Sequence, residues 1–301
     1  MAWRKSCLRL WLSVGFSLTD VRAEELRVVG SDLLGLDFTR AFYAFSGSEG
    51  IRLALAFEGS RAGFEQVKSG RADLGLMVLP RPAAGEAAEM RSATVGHHQV
   101  VVLVPAACPL DRITLPQLAA IFGARAAAAK AMRWGDLGAT GEWSELAVVP
   151  VAPESGVGLT ADFFRSEVLR GSAWKTSVRR YATKAELAAH WSGEGRTIAL
   201  AATIPVGDPA VKVLAVAAGA GAGAPAVTPT PATLAAGTYS LRVPVQAVFR
   251  EEQAARIGRL LEFVFSEEAA RALERAEIVP LPVTARAEQL RMEHGREKSR
   301  K

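Results

Sequence analysis

Apolar residues fall in short, mostly unbroken runs along the chain, at 26–29, 51–57, 74–77, 100–104, 147–151, 198–201, 211–216 and 243–249. An unbroken run is the pattern of a strand covered on both faces, as in a parallel sheet. Between the runs lie segments of helical character at 36–45, 62–69, 115–122, 161–169, 184–191, 253–265 and 267–275. The alternation predicts an α/β fold. The last two helices end before Val279-Pro280-Leu281-Pro282, where proline stops helical continuation. The alanine-rich stretch 124–131 extends a helix in this reading, and the Ala/Gly stretch 217–226 reads as a flexible surface loop. No repeat of solenoid or propeller period is visible.

Composition trims this picture at both ends. Arg4, Lys5 and Arg9 precede the apolar stretch 10–18, and Val21-Arg22-Ala23 ends in a small residue. Together these read as a secretory signal peptide cleaved near Ala23, which predicts export of the mature protein. The stretch is too short to span a bilayer, and no lipobox precedes Cys7. Removing residues 1–23 takes away four basic residues and one acidic one, so the formal charge of +5 becomes 5 − 3 = +2. The remaining excess sits in the tail 286–301, which argues against a nucleic-acid partner. Cys108 is then the single cysteine, so packing alone must hold the fold. Half of the 301 residues are apolar, enough for one large domain or two ordinary ones.

Candidate chemistry gathers in turns that follow strands. Gly30-Ser31-Asp32 follows the first run, where Ser31 either caps a helix or donates its hydroxyl to a ligand. Glu58-Gly59-Ser60-Arg61-Ala62-Gly63 follows the second; Ser60 has the same two readings, and Arg61 is either solvated or paired with an anion. Asp73 stands at the mouth of the third run, where it fixes a turn or accepts a hydrogen bond from a protonated ligand oxygen. Pro153-Glu154-Ser155-Gly156-Val157-Gly158-Leu159-Thr160 separates another run from a helix and turns free N–H groups outward. In a doubly wound sheet such turns converge on one crevice, which suits a small tetrahedral anion. No nucleophile elbow, Walker loop, zinc-helix motif or Cys/His dyad occurs, so neither a catalytic residue nor a cofactor is expected. His97-His98 lack a third ligand at metal spacing, and Trp134, Trp143, Trp174 and Trp191 read as packing residues.

On these residues the chain resembles the substrate-binding proteins of phosphate ABC transporters, which have the type II periplasmic binding protein fold. Gly30-Ser31 looks like the family's first phosphate turn, Gly59-Ser60-Arg61-Ala62-Gly63 like its Gly-Ser-Gly-x-Gly segment, and Ala72-Asp73-Leu74-Gly75 like its Ala-Asp-Ile-Gly. Trp134-Gly135-Asp136-Leu137-Gly138 and Tyr239-Ser240-Leu241 also have counterparts in order. The resemblance implies two lobes joined by two crossing strands, residues 24–104 plus 238–301 and residues 105–237. It further implies a monomer that holds phosphate or a similar oxyanion in the cleft and presents it to an ABC permease. The implied ligand-binding residues are Ser31, Asp32, Ser60, Arg61, Asp73, Ser155, Gly156, Val157, Gly158 and Thr160. One departure stands out: the family's Arg-x-x-Gly-Ser-Gly-Thr loop, aligned on its glycines, meets Pro153, Val157 and Leu159 at its Arg, Ser and Thr; aligned on Phe163-Phe164 it meets Gly158 and Thr160 at its Ser and Thr, and the Arg is missing in either register. That departure and the basic tail motivate a second reading, a binding-protein fold without its small ligand that serves as an envelope interaction or sensory module.

Overall fold

The computed structural model describes residues 25–78, 90–125, 132–156, 158–205, 207–219 and 223–298. The expected signal peptide, Val157 and most of the alanine-rich stretch 124–131 lie outside the described residues. The chain runs β1 (Leu26–Gly30), α1 (Gly35–Ser48), β2 (Leu53–Ala56), α2 (Ser60–Lys68), β3 (Leu74–Val78), β4 (Met90–Gln99) and β5 (Val101–Pro105). It continues with β6 (Arg112–Thr114), α3 (Leu115–Phe122), β7 (Val149–Pro153), α4 (Thr160–Glu167), β8 (Arg179–Tyr181), α5 (Lys184–Glu194), β9 (Thr197–Ala201) and β10 (Val211–Val213). The last elements are β11 (Ala215–Ala217), β12 (Ala226–Val227), α6 (Pro231–Ala236), β13 (Arg242–Arg250), α7 (Gly258–Val264), α8 (Glu267–Arg275), β14 (Val279–Pro280) and α9 (Val283–Lys298).

Two larger sheets each carry one α/β lobe. The first has the order β14-β4-β13-β3-β1-β2, the second β10-β5-β9-β7-β8, and β12-β11-β6 form a third, smaller sheet. In the first, β1 runs parallel to β2 and β3; in the second, β7 runs parallel to β8 and β9. The rest of each sheet is antiparallel, with β13 against both β3 and β4 and β5 against β9 and β10. The unbroken apolar runs therefore report burial on both faces, not strand direction. Strand β5 illustrates this, since every one of its residues is buried although both of its neighbours are antiparallel.

Each lobe has its own core. Phe38, Phe42 and Phe263 anchor the first, with the Phe42 and Phe263 rings edge to face at 4.7 Å. Trp134, Phe122 and Phe164 anchor the second, with Trp143 against Trp134 at 5.3 Å. Burying rings of this size supplies much of the stability a cysteine-poor chain needs. The lobes are joined where β4 passes through Val100 into β5 and where the chain returns through Leu241 into β13. Val100 N–H donates to the Leu241 carbonyl at 2.9 Å, and the buried Tyr239 hydroxyl donates to the Val100 carbonyl at 2.7 Å. Because β5 pairs in the second sheet, the first crossing falls at Val100, ahead of residue 104.

Three elements differ from the pattern read along the chain. Strand β4 is interrupted by Arg91, Ser92, His97, His98 and Gln99, so no apolar run announces it. The run 211–216 divides at Leu214, whose N–H donates to the Val102 carbonyl, and its halves enter different sheets. The helix expected over 253–265 is a short 3-10 turn at Glu251–Gln253 followed by α7, with Gly258, a weak helix former, at the restart.

Candidate anion site

Ser31 and Ser60 come together at one end of the first sheet. Ser31 N–H donates to the Leu76 carbonyl at 2.8 Å, and Gly59 N–H donates to the Gly30 carbonyl at 2.8 Å. The Ser60 hydroxyl oxygen accepts from Val78 N–H at 3.0 Å, which ties the start of α2 to the end of β3. The turns need glycine because the backbones touch: a Cβ on Gly63 would stand 3.2 Å from the Gly30 Cα. Ser31 is buried and accepts from Leu33 N–H at 3.3 Å, so it does cap the short helix that leads into α1. Each hydroxyl serves here as an acceptor and keeps its own proton for a ligand.

Helix starts differ in a way that matters for anions. Thr114, Thr183, Thr230 and Ser266 cap α3, α5, α6 and α8 through their side chains. Helices α2 and α4 start behind Gly59 and Leu159, residues without a polar side chain, and neither has a side-chain cap. Like α1 and α7, they leave their first-turn N–H groups without a side-chain acceptor, and the helix dipole favours negative charge there. Arg61, in the first turn of α2, is exposed, as is Asp32.

Asp73 lies elsewhere. It precedes β3, level with Arg27 at the start of β1, one strand length of about 10 Å from Gly30. One of its carboxylate oxygens accepts from Arg27 N–H at 2.7 Å, and the other pairs with Arg256 Nη1 at 2.5 Å. The expectation that it faces the ligand is therefore corrected. Parallel pairing puts Asp73 at the sheet end opposite the turns, where it fastens β1 and β3 to the segment before α7.

The second lobe brings its loop to the first. Leu159 and Phe163 pack against the first lobe's core, and the buried Thr160 hydroxyl lies 3.3 Å from His98 Nε2 on β4. Burial lowers the His98 pKa to about 4, with Glu277 opposing the shift, so the ring is neutral at neutral pH. Ser155, Gly156 and Gly158 are exposed on the loop. Beside them stands Arg180 of β8, a residue the sequence reading passed over because the three-residue strand that carries it is too short to show as a pattern. Its Nη2 donates to the Ser155 hydroxyl at 3.3 Å, and its guanidinium lies 4.6 Å from the centre of the Trp174 ring. Burial lowers its pKa, while Glu154 and Asp162 pull it back up.

On the other side of the loop is a cavity of about 380 Å³, lined by Pro153, Thr160, Tyr181, Thr183, Asp208 and Glu277 among others. Its described lining holds two carboxylates and neither Lys nor Arg, so it repels an anion.

Two α/β lobes hinged on paired crossing strands, with turns from both lobes at the cleft, define a two-lobed binding protein. The chain belongs to the PBP superfamily, whose domain model matches residues 22–268. Among solved structures it is similar to a possible phosphate binding protein from Planctomyces limnophilus, at 18% identity over 90% of this chain and 99% of that one, with a TM-score of 0.67. It is also similar to an ABC-type phosphate transport receptor from Vibrio cholerae, at 19% identity over 85% of this chain and 100% of that one, with a TM-score of 0.61. At such identities the likeness speaks for the fold. No curated protein sequence matches the chain.

Proposed function

We propose that this chain binds phosphate or a similar oxyanion in the periplasm, without catalysis, and delivers it as a monomer to an ABC permease. The observation that carries this reading is the meeting of Gly30-Ser31 with Gly59-Ser60 at one sheet end, opposite a second-lobe loop whose helix is likewise uncapped. Open N–H groups at α2 and α4 and the hydroxyls of Ser31 and Ser60 supply donors, and Arg61 supplies charge at the rim. Rotation about Val100 and Leu241 opens and closes the cleft around the ligand. Of the two solved structures similar in fold, one is a possible phosphate binding protein and the other an ABC-type phosphate transport receptor, which supports the ligand class.

Calorimetric titration of the mature protein with phosphate, sulfate and molybdate tests the reading. Saturable heat with at least one is expected. Silence with all three at millimolar ligand removes the proposal.

A further inference from the structure

The loop 153–160 carries no arginine or lysine. We propose that Arg180, on the neighbouring strand, supplies the positive charge that holds the oxyanion on the second lobe. The inference rests on the oxyanion reading and adds to it a specific cation.

The register places it there. Ala152 of β7 pairs with Arg180 of β8, so the arginine leaves the sheet beside the last residues of β7. Ala152, Val178 and Trp174 lie in the second-lobe core that also holds Phe164 of α4, whereas Val151 and Tyr181 belong to a separate cluster. Alternation along β8 therefore sends Arg180 to the face that α4 covers, and Tyr181 toward the acidic cavity. Trp174 stacks on Phe164 with ring centres 5.6 Å apart and planes 14° apart, and the guanidinium lies over the indole. This layering fixes the guanidinium against the indole, on the face of β8 that α4 covers.

What the arginine does with its donors points to a ligand. Nη2 reaches Ser155 on the loop, while Nη1 is buried and has no hydrogen-bond partner. A buried guanidinium nitrogen without an acceptor is unfavourable, so the group gains from an acceptor that arrives with a ligand. The guanidinium is a planar fork, and its Nη2 edge at the loop is the one that an anion oxygen reaches. Of the two acids that act on Arg180, Asp162 has its ion-pair partner in Arg165 at 3.9 Å, and Glu154 is exposed on the loop.

The test is phosphate affinity by calorimetry for the wild-type chain, Arg180→Gln, Arg180→Lys and Arg165→Gln, with circular dichroism to check folding. Arg165→Gln removes the same unit of charge from exposed α4 surface and is expected to keep wild-type affinity. Arg180→Gln is expected to weaken binding on the order of 10- to 100-fold, the scale of a lost charge-assisted pair. Arg180→Lys is expected to recover part of this, since it restores charge without the fork. A folded Arg180→Gln that binds within about twofold of wild type overturns the role of Arg180 and leaves the oxyanion reading standing, as does an equal loss in Arg165→Gln. If Arg180→Gln does not fold, Arg180→Lys decides, and wild-type affinity there overturns the fork. A wild-type chain silent to phosphate, sulfate and molybdate overturns the oxyanion reading and this inference together.

Discussion

The two halves of the candidate site are built on opposite plans. In the first lobe the turns are dictated by contact: a Cβ on Gly30 would sit 2.0 Å from the Leu76 carbonyl oxygen. In the second lobe Gly156 and Gly158 have open space around them, with nothing within 4 Å of an added Cβ. Backbone packing fixes the first set of donors in place before any ligand arrives. The second set has positive φ angles of 86° at Gly156 and 71° at Gly158 but little packing to hold it. Its neighbours in the fold, Arg180 and His98, do the positioning from outside the loop.

The sharpest way to break this contrast is Gly30→Ala. Since the clash is with backbone that cannot swing aside, a loss of more than about 3 kcal/mol in urea unfolding is expected, the upper range for overpacking. Loss below 1 kcal/mol would mean the first lobe's turns are as loose as the second's.

Next in size is acid sensitivity at the strand that joins the halves. Burial lowers both His97 and His98 from 6.5 to about 4, with Arg242 adding to the effect at His97. A base whose pKa is lower in the folded state is protonated more readily by the unfolded chain. Its contribution is intact above pH 6.5 and fades as pH falls from 6.5 toward 4. At 1.36 kcal/mol per unit, this amounts to roughly 3 kcal/mol per histidine by pH 4. Replacing His98 with Gln is expected to flatten that part of the stability profile, and an unchanged profile contradicts the assignment.

Ser60→Ala is smaller. It strands the Val78 N–H and is expected to destabilise by about 2 kcal/mol while weakening phosphate binding about tenfold. Intact affinity would shift the site away from α2. Smallest is Gly156→Ala, where only the positive φ resists a side chain and about 1 kcal/mol is expected. A cost near that of Gly30→Ala would erase the distinction between the halves.

How much of this could be read from the residues depended on how local the cause was. Helix α3 is read end to end because Thr114 and Gln117 form a capping box with Pro116 behind it, and α8 because Ser266 caps an amphipathic stretch. The turns at Gly30-Ser31 and Gly59-Ser60 were legible as candidates, since strand, glycine, serine and helix follow within a few residues. Strand β4 was not, because its polar residues are buried by partners from β13 and β14, far along the chain. The same holds for Asp73, whose pairing with Arg256 spans 183 positions and decides that it fastens the sheet and does not face the cleft. Arg180 acquires meaning only from the register of β7 with β8.

The close approach of Gly63 to Gly30 has one more consequence. With main chain against main chain, α2 and β1 leave no slack between the two serine turns, so these form a template of fixed spacing. Whichever way the lobes rotate, Ser31 and Ser60 keep their separation. On the proposed reading, the first lobe therefore offers an anion two hydroxyl groups at a fixed distance, and closure of the second governs how long that anion stays.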